Sequence, residues 1–307
     1  MKSKFINFSQ SERGKMHKKV FEGVATALYT PITDDKIDFN AFSDIIDEQI
    51  KAGINALVFL GTTGEAATIS DEERKRIVDF AVEKVKKRVP VIIGCGSNCT
   101  KKAREYTEYA ALKGADGVLC VTPYYNKCTQ AGLIKHYEEI AKAEIPIIAY
   151  NVPSRTGFNA LPETVKDLAD IDYVCGIKEA NPDENHIKNL FCLVKDKIAI
   201  YSGNDSQNLL YYSYGASGCI SVASNVIPSK IVDIFLNFKT NYDWHNNFDD
   251  ANLKEFYKAL FIKVNPIPLK AMVEISGKKG FELRLPLTKA EASDYEYFKE
   301  VLRKLKP

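Results

Sequence analysis

The chain has 307 residues, of which 45% are hydrophobic and 27% charged, a composition typical of soluble globular enzymes. Its 42 basic and 40 acidic residues nearly balance, so the net charge gives no reason to expect nucleic acid as a partner. No uninterrupted apolar stretch is long enough to span a bilayer. The basic, polar first nineteen residues lack the apolar core of a secretory signal. We therefore expect a cytoplasmic protein with neither a nucleic acid nor a membrane as a partner.

Cysteine and histidine usage argues against disulfide and metal frameworks. The seven cysteines are odd in number and include no Cys-x-x-Cys, which favours buried thiols in a reducing compartment. The four histidines, His17, His136, His186 and His245, are far apart and lack the spacing of metal ligands. The sequence thus predicts no metal site.

Short apolar runs alternate with longer amphipathic stretches along most of the chain. The eight apolar runs are residues 24–28, 56–60, 91–94, 118–121, 147–150, 173–178, 198–202 and 219–222. The helical patterns between them cover residues 39–51, 71–87, 101–112, 130–142, 162–168, 184–194 and 206–214. Strands without inside–outside alternation, each followed by a helix, indicate a parallel sheet covered by helices.

Eight such units predict an α/β fold, a closed (β/α)8 TIM barrel. A doubly wound open sheet is the alternative, but its usual Gly-x-Gly-x-x-Gly signal is absent after the first run. Helical patterns alone follow, at residues 229–238, 249–264, 269–276 and 289–305. We expect one structural unit, with a loosely ordered basic extension at 1–19, the barrel at 20–228 and a C-terminal helical region at 229–307 packed on the barrel.

Polar residues follow six of the eight apolar runs. They are Gly-Thr-Thr-Gly-Glu at 61–65, Thr-Pro-Tyr-Tyr-Asn at 122–126, Tyr-Asn-Val-Pro-Ser-Arg-Thr-Gly at 150–157, Lys-Glu-Ala at 178–180, Ser-Gly-Asn-Asp at 202–205 and Ile-Ser at 220–221. In a barrel of parallel strands all carboxyl ends open on one face, which carries the active site. We therefore expect these groups to converge on one cavity.

Lys178 is the strongest candidate among them for a catalytic residue. A lysine that ends an apolar strand at a barrel mouth can be partly desolvated, which favours the uncharged, nucleophilic amine. Such an amine can form an imine with a ketone, although most strand-end lysines are solvated and inert. Tyr150 ends another strand and can transfer protons, or it can be a core aromatic with a satisfied hydroxyl.

The other candidates also have two interpretations. The turn at 61–64 offers hydroxyl and N–H groups to a carboxylate, or is simply a tight turn. Arg155 can hold a carboxylate bidentately or pair with an internal acid. Tyr124 and Tyr125 can belong to an interface or to the free surface.

Taken together, these motifs resemble the dihydrodipicolinate synthase family, within the N-acetylneuraminate lyase-like superfamily of Schiff-base aldolases. The segments that carry the resemblance are residues 61–65, 123–126, 150–157, 176–180, 202–205, 265–268 and 283–286. They occur in family order from Phe21 to the C-terminus, and the first nineteen residues fall outside the resemblance.

The resemblance implies condensation of pyruvate with L-aspartate 4-semialdehyde to 4-hydroxy-tetrahydrodipicolinate, in lysine and diaminopimelate biosynthesis, without a cofactor. Lys178 would form the Schiff base and Tyr150 would transfer protons. Thr62 and Tyr125, the latter from a neighbouring subunit, would complete the proton relay. A homotetramer built as a dimer of dimers is therefore expected.

The same resemblance assigns four substrate-binding residues. Thr63 would bind the pyruvate carboxylate, and Gly203 and Ile220 would line the pyruvate site through their backbone. Arg155 would hold the carboxylate of the second substrate. The Pro-Ser-Arg-Thr-Gly context of Arg155 favours the synthase over a related aldolase acting on a sugar acid such as N-acetylneuraminate or a 2-keto-3-deoxy acid. A non-catalytic barrel that senses a keto acid is a further alternative.

One departure from the family concerns feedback by lysine. Where lysine inhibits such enzymes, its pocket uses two histidines and a glutamate, and the matching positions here are Asp71, Arg74 and Lys102. Because the Lys102 ammonium group would repel that of a bound lysine, we expect weak or absent inhibition, although Asn98 and Tyr124 are retained.

Overall fold

The computed structural model describes residues 18–241 and 248–305. Its ten strands in these ranges are β1 Gly23–Ala27, β2 Ile32–Thr33, β3 Lys36–Ile37, β4 Ala56–Phe59, β5 Val91–Gly94, β6 Gly117–Val121, β7 Ile147–Asn151, β8 Val174–Glu179, β9 Ala199–Ser202 and β10 Gly218–Ser221. All but β2 and β3 form a closed parallel barrel in the order β1-β10-β9-β8-β7-β6-β5-β4. The predicted (β/α)8 barrel is confirmed, and each predicted apolar run overlaps one barrel strand.

Helices cover the outside of the barrel. Within the described ranges they are α1 Phe39–Lys51, α2 Asp71–Val85, α3 Thr100–Leu112, α4 Gln130–Ala141, α5 Pro153–Thr156, α6 Pro162–Leu168, α7 Glu184–Val194, α8 Asn208–Ser213, α9 Pro228–Thr240, α10 Ala251–Ala259, α11 Ile267–Ile275 and α12 Ala292–Leu305. Ser70 and Glu73 form a capping box at the start of α2. The antiparallel β2–β3 pair and the one-turn α5 were not predicted, because elements this short lack a readable period.

Two apolar cores flank the strands. In β7, Ile148 and Tyr150 point into the barrel, whereas Ile147 and Ala149 belong to the larger core beneath the helices. This alternation follows from the two-residue period of a strand. Phe21, just before β1, stacks on Tyr201 at 4.3 Å at the N-terminal end of the barrel. The cavity described below lies at the opposite, C-terminal end.

Ion pairs join the C-terminal region to the segment that runs from the end of β4 into α2. Lys270 in α11 forms an ion pair with Glu65, and both side chains are only 1% exposed. Arg284 donates to the Glu73 carboxylate at 2.7 and 2.8 Å. Because these contacts join distant parts of the chain, the C-terminal region takes part in shaping the barrel mouth.

The domain boundaries at 19/20 and 228/229 stay a prediction. Residues 1–17 of the expected extension lie outside the described ranges. Helix α9, Pro228–Thr240, follows the last barrel strand after a short 3-10 helix at Ala223–Asn225. No helix within residues 18–241 and 248–305 is long and apolar enough to cross a membrane.

Candidate active site

A cavity of about 330 Å³ opens at the carboxyl ends of the barrel strands. It is lined by six of the eight residues singled out from the sequence: Thr62, Thr63, Tyr150, Arg155, Lys178 and Gly203. They come from the ends of four different strands and from the short helix α5. The closed barrel brings them together, as expected of groups that follow parallel strands.

Lys178 lies on the floor of this cavity and is only 5% exposed. It pairs in register with Tyr150 of β7, and its Nζ lies 4.5 Å from the centre of the Tyr150 ring. A side chain at Gly203 would come within 3.1 Å of the Lys178 Cε. A glycine at position 203 therefore leaves room for the lysine stem.

The turn after β4 brings two hydroxyl groups to the cavity. Thr63 is buried, and its Oγ1 accepts a hydrogen bond of 3.0 Å from the Asn265 side chain. Leu60 and Glu65, which flank the turn, have φ angles of 56° and 53°, a left-handed conformation that is uncommon for residues other than glycine. The buried ion pair with Lys270 anchors Glu65 in this conformation.

Arg155 reaches the cavity from α5, between Pro153 and the helix end at Thr156. One guanidinium nitrogen donates to the backbone carbonyl of Asn265 at 3.2 Å. A planar guanidinium with free N–H groups suits a carboxylate ligand. Arg155 is thus oriented at the cavity mouth by the C-terminal region.

Two predicted residues do not line the cavity. Tyr125 is 91% exposed and has a φ of 67°, so within a single chain its hydroxyl is not part of the site. Ile220 is buried inside the barrel in β10, and the cavity is lined by its neighbour Val222 instead.

Two buried carboxylates, Glu179 and Asp205, accept hydrogen bonds that fix the ends of the barrel strands. Glu179, fully buried, accepts from the Asn151 side chain at 3.0 Å and from the Asn181 backbone at 2.7 Å, and its carboxylate lies 3.1 Å from His186 Nε2. This network fixes the ends of β7 and β8, which carry Tyr150 and Lys178.

Asp205 performs the same task beside β10. Its carboxylate accepts the backbone N–H groups of Val222 and Ala223, both at 2.9 Å. Burial raises the pKa of Asp205 above its usual value, against the opposing effect of these hydrogen bonds and of Lys178. These hydrogen bonds therefore fix the backbone at Val222, which lines the cavity.

A second, larger crevice of about 750 Å³ adjoins the cavity. Asp71, Arg74 and Lys102 all line it. The Lys102 Nζ lies 3.4 Å from the Asp71 carboxylate, which also accepts from the Tyr106 hydroxyl at 2.5 Å. Arg74 stacks over the Tyr106 ring at 4.1 Å. The single carboxylate among the three is thus already engaged.

Sequence reasoning missed the C-terminal wall of the cavity, which consists of Phe261, Lys263, Val264 and Asn265. The motif Asn-Pro-Ile-Pro at 265–268 belongs to the family resemblance but predicts no role in the site, because nothing in a linear pattern places it beside β4. Within the described ranges, no group of three or more His, Cys, Asp or Glu residues could hold a metal ion; His17 and His245 lie outside those ranges.

Comparison with known proteins places the chain in a family. The model of the dihydrodipicolinate synthetase family matches residues 20–305. A 4-hydroxy-tetrahydrodipicolinate synthase of Alkaliphilus oremlandii is 46% identical over 291 residues, which are 93% of this chain and 99% of the relative.

Solved structures agree with this assignment. The crystal structure of dihydrodipicolinate synthase from Thermotoga maritima has a TM-score of 0.89 and 40% identity, covering 93% of this chain and 99% of that one. The chloride-inhibited dihydrodipicolinate synthase from Acinetobacter baumannii, complexed with pyruvate, has a TM-score of 0.89 and 36% identity, covering 92% and 98%. The chain, with its barrel and the lysine at the cavity floor, therefore belongs to the dihydrodipicolinate synthetase family.

Proposed function

We propose that this protein is a lyase that condenses pyruvate with L-aspartate 4-semialdehyde to give 4-hydroxy-tetrahydrodipicolinate, in lysine and diaminopimelate biosynthesis. One observation carries the proposal. The Lys178 amine is buried over the Tyr150 ring, in a cavity that also presents threonine hydroxyls and an arginine. Relatives that cover nearly the whole chain bear the name of this activity.

The chemistry begins at the Lys178 Nζ. The unprotonated amine attacks the C2 carbonyl of pyruvate and expels water, which forms an imine. The imine draws electrons from the adjacent methyl group, so a C3 proton is lost and an enamine forms. The enamine C3 attacks the aldehyde carbon of the second substrate. The substrate amine then attacks C2, displaces Lys178 and closes the ring.

Proton transfer falls to Tyr150, Thr62 and Tyr125. Tyr150 faces the Lys178 amine and would move the protons lost and gained at C3 and at the aldehyde oxygen. Thr62 would connect Tyr150 to Tyr125 of a neighbouring subunit. The nearly full exposure of Tyr125 on the single chain supports this arrangement, since such a tyrosine is free to enter another copy's site.

Substrate binding falls to four further residues. Thr63 would hold the pyruvate carboxylate through its hydroxyl, and Gly203 would contact pyruvate through its backbone. On the wall formed after β10, Val222 lines the cavity in place of the expected Ile220 and would take over that contact. Arg155 at the mouth would bind the carboxylate of the second substrate bidentately. Because Arg155 and Lys178 line the same cavity, a substrate held by the arginine would lie close to the enamine.

The proposed relay requires a homo-oligomer, and we extend the proposal to a tetramer made of two dimers. Sedimentation at working concentration should give a tetramer, and Tyr125→Phe should lower turnover without changing that mass. A fully active monomer would contradict this part. We also propose a cytoplasmic location, supported by seven cysteines that are all free.

The central test is covalent trapping. The protein is incubated with pyruvate, reduced with borohydride and digested, and a single reduced pyruvyl group is expected on Lys178. Lys178→Arg keeps the positive charge but should show no adduct. In parallel, turnover with aspartate semialdehyde is compared with turnover of N-acetylneuraminate and 2-keto-3-deoxy acids. An adduct on another lysine, or turnover of only the sugar acids, would overturn the proposal.

A further inference from the structure

The pair Asn151–Glu179 lies directly behind the two side chains proposed for proton transfer and imine formation. Strands β7 and β8 pair in register as Tyr150 with Lys178 and as Asn151 with Glu179. Successive side chains of a strand point to opposite faces. Tyr150 and Lys178 therefore face the cavity, while the next residue of each strand faces the surrounding helices. A slip or separation of the strand ends at the outer pair would also displace the inner pair.

The two outer side chains are bonded directly to each other and are fully buried. Asn151 Nδ2 donates to both carboxylate oxygens of Glu179, at 3.0 and 3.1 Å. Each oxygen has one further partner: Oε1 accepts from the Asn181 backbone at 2.7 Å, and Oε2 lies 3.1 Å from His186 Nε2. Because a carboxylate only accepts, His186 Nε2 carries a hydrogen. Three donors thus hold one carboxylate away from water, where such bonds are strong.

Asn151 also holds the segment that carries Arg155. Its Oδ1 accepts the backbone N–H of Ala160 at 3.0 Å, and its Nδ2 donates to Asn159 Oδ1 at 2.8 Å. Arg155 lies between these points along the chain, in α5. The loop after β7 therefore begins and ends at one buried amide, which is itself bonded to the end of β8.

We propose that Asn151 and Glu179 are positioning residues that hold Tyr150 in the relation to the Lys178 amine that proton transfer at pyruvate C3 requires. This inference rests on the proposed function. The Tyr150 ring centre lies 4.5 Å from the Lys178 Nζ. Imine formation needs the amine and room for pyruvate, whereas removal of the C3 proton needs the amine and the hydroxyl in a fixed geometry. Loosening the outer pair should therefore slow enamine formation more than imine formation.

Deuterium exchange at the pyruvate methyl group measures this step without the second substrate. In D2O, each enamine that forms has lost a proton from C3 and regains a deuteron there, so proton NMR of the methyl group gives the rate. Borohydride trapping over a range of pyruvate concentrations measures imine formation in the same proteins. Glu179→Gln keeps the side-chain length but turns an N–H2 group toward donors. We expect exchange at saturating pyruvate to slow by about 10- to 100-fold, while half-maximal trapping shifts less than about threefold in pyruvate concentration.

A milder pair of variants changes the third donor. His186 lies on α7 and contacts Glu179 through Nε2. His186→Leu removes that donor, whereas His186→Gln offers an amide N–H in its place. Exchange should therefore be slower in His186→Leu than in His186→Gln, which should stay close to wild type. Should Glu179→Gln not fold, this pair decides, because equal exchange rates in the two proteins overturn the inference.

The matched control is Thr26→Val, which removes a buried 2.6 Å hydrogen bond to Gln49 from β1, a strand that carries none of the residues with a proposed role. Its exchange rate should equal that of wild type even where its melting temperature falls. The inference is overturned if Glu179→Gln exchanges like wild type, if its trapping weakens as much as its exchange, or if the control slows equally. If the wild-type protein itself traps pyruvate but exchanges no methyl protons, the proposed function fails and takes this inference with it.

Discussion

Replacing Lys270 by methionine should destabilise the protein strongly, because it leaves a buried charge without its partner. Lys270 and Glu65 are each 1% exposed, so water cannot solvate the carboxylate once the ammonium group is gone. Removing one member of such a pair costs about 3–5 kcal/mol. Lys278 forms a more exposed ion pair with Glu48, and their side chains are 30% and 44% exposed. Lys278→Met should therefore lower the free energy of unfolding by less than about 1 kcal/mol.

The double variant Glu65→Met/Lys270→Met should be more stable than Lys270→Met alone. It removes both charges, so the penalty of the unpaired carboxylate disappears. Two weaker losses remain: the Glu282 carbonyl loses its 2.6 Å bond to Lys270, and the Arg284 N–H loses its 3.4 Å contact with Glu65. Because each unsatisfied backbone group costs about 1 kcal/mol, the free energy of unfolding of the double variant should be about 2 kcal/mol lower than that of wild type.

The assay is urea unfolding of all four proteins at one concentration, since subunit association contributes to the apparent stability. The free energies of unfolding should rank wild type and Lys278→Met first, then the double variant, then Lys270→Met. The reasoning is refuted if Lys270→Met lies within about 1 kcal/mol of wild type, or if the double variant is the least stable protein.

Three further predictions follow from single groups. Lys178→Ala should reduce condensation by more than about 10³-fold while its thermal unfolding stays close to wild type; an unchanged rate contradicts the imine mechanism. L-Lysine below millimolar concentration should leave the initial rate nearly unchanged, because the Asp71 carboxylate is already engaged by Lys102 at 3.4 Å; strong inhibition there would refute this. Burial lowers the pKa of His136 to about 4, below the usual 6.5 of an unfolded chain. As the pH falls, the unfolded state therefore takes up this proton at a higher pH than the folded state does. The free energy of unfolding should fall by about 3 kcal/mol between pH 6.5 and pH 4. His136→Gln should remove that slope in denaturant titrations at each pH, and an equal slope in both proteins would count against it.

Local patterns alone determined the eight barrel strands and the residues that follow them. Apolar runs such as 147–150 are short, continuous and bounded by polar turns, so their period and length are readable without any tertiary contact. Parallel pairing then places Tyr150 and Lys178 at the same end of the barrel. The order of residues along the chain was therefore sufficient to predict that Tyr150 and Lys178 meet.

Only the tertiary structure shows that the C-terminal segment forms a wall of the cavity. Asn265 lies more than 200 residues from Thr63, at a separation of 202, and no periodicity connects a C-terminal loop to a turn after β4. The Lys270–Glu65 pair likewise joins an apolar helix to a left-handed turn residue. Such contacts depend on how the helices pack after the barrel has closed, and sequence spacing carries no information about that distance. The proposed role of Tyr125 in a neighbouring subunit would likewise depend on a surface outside its own chain.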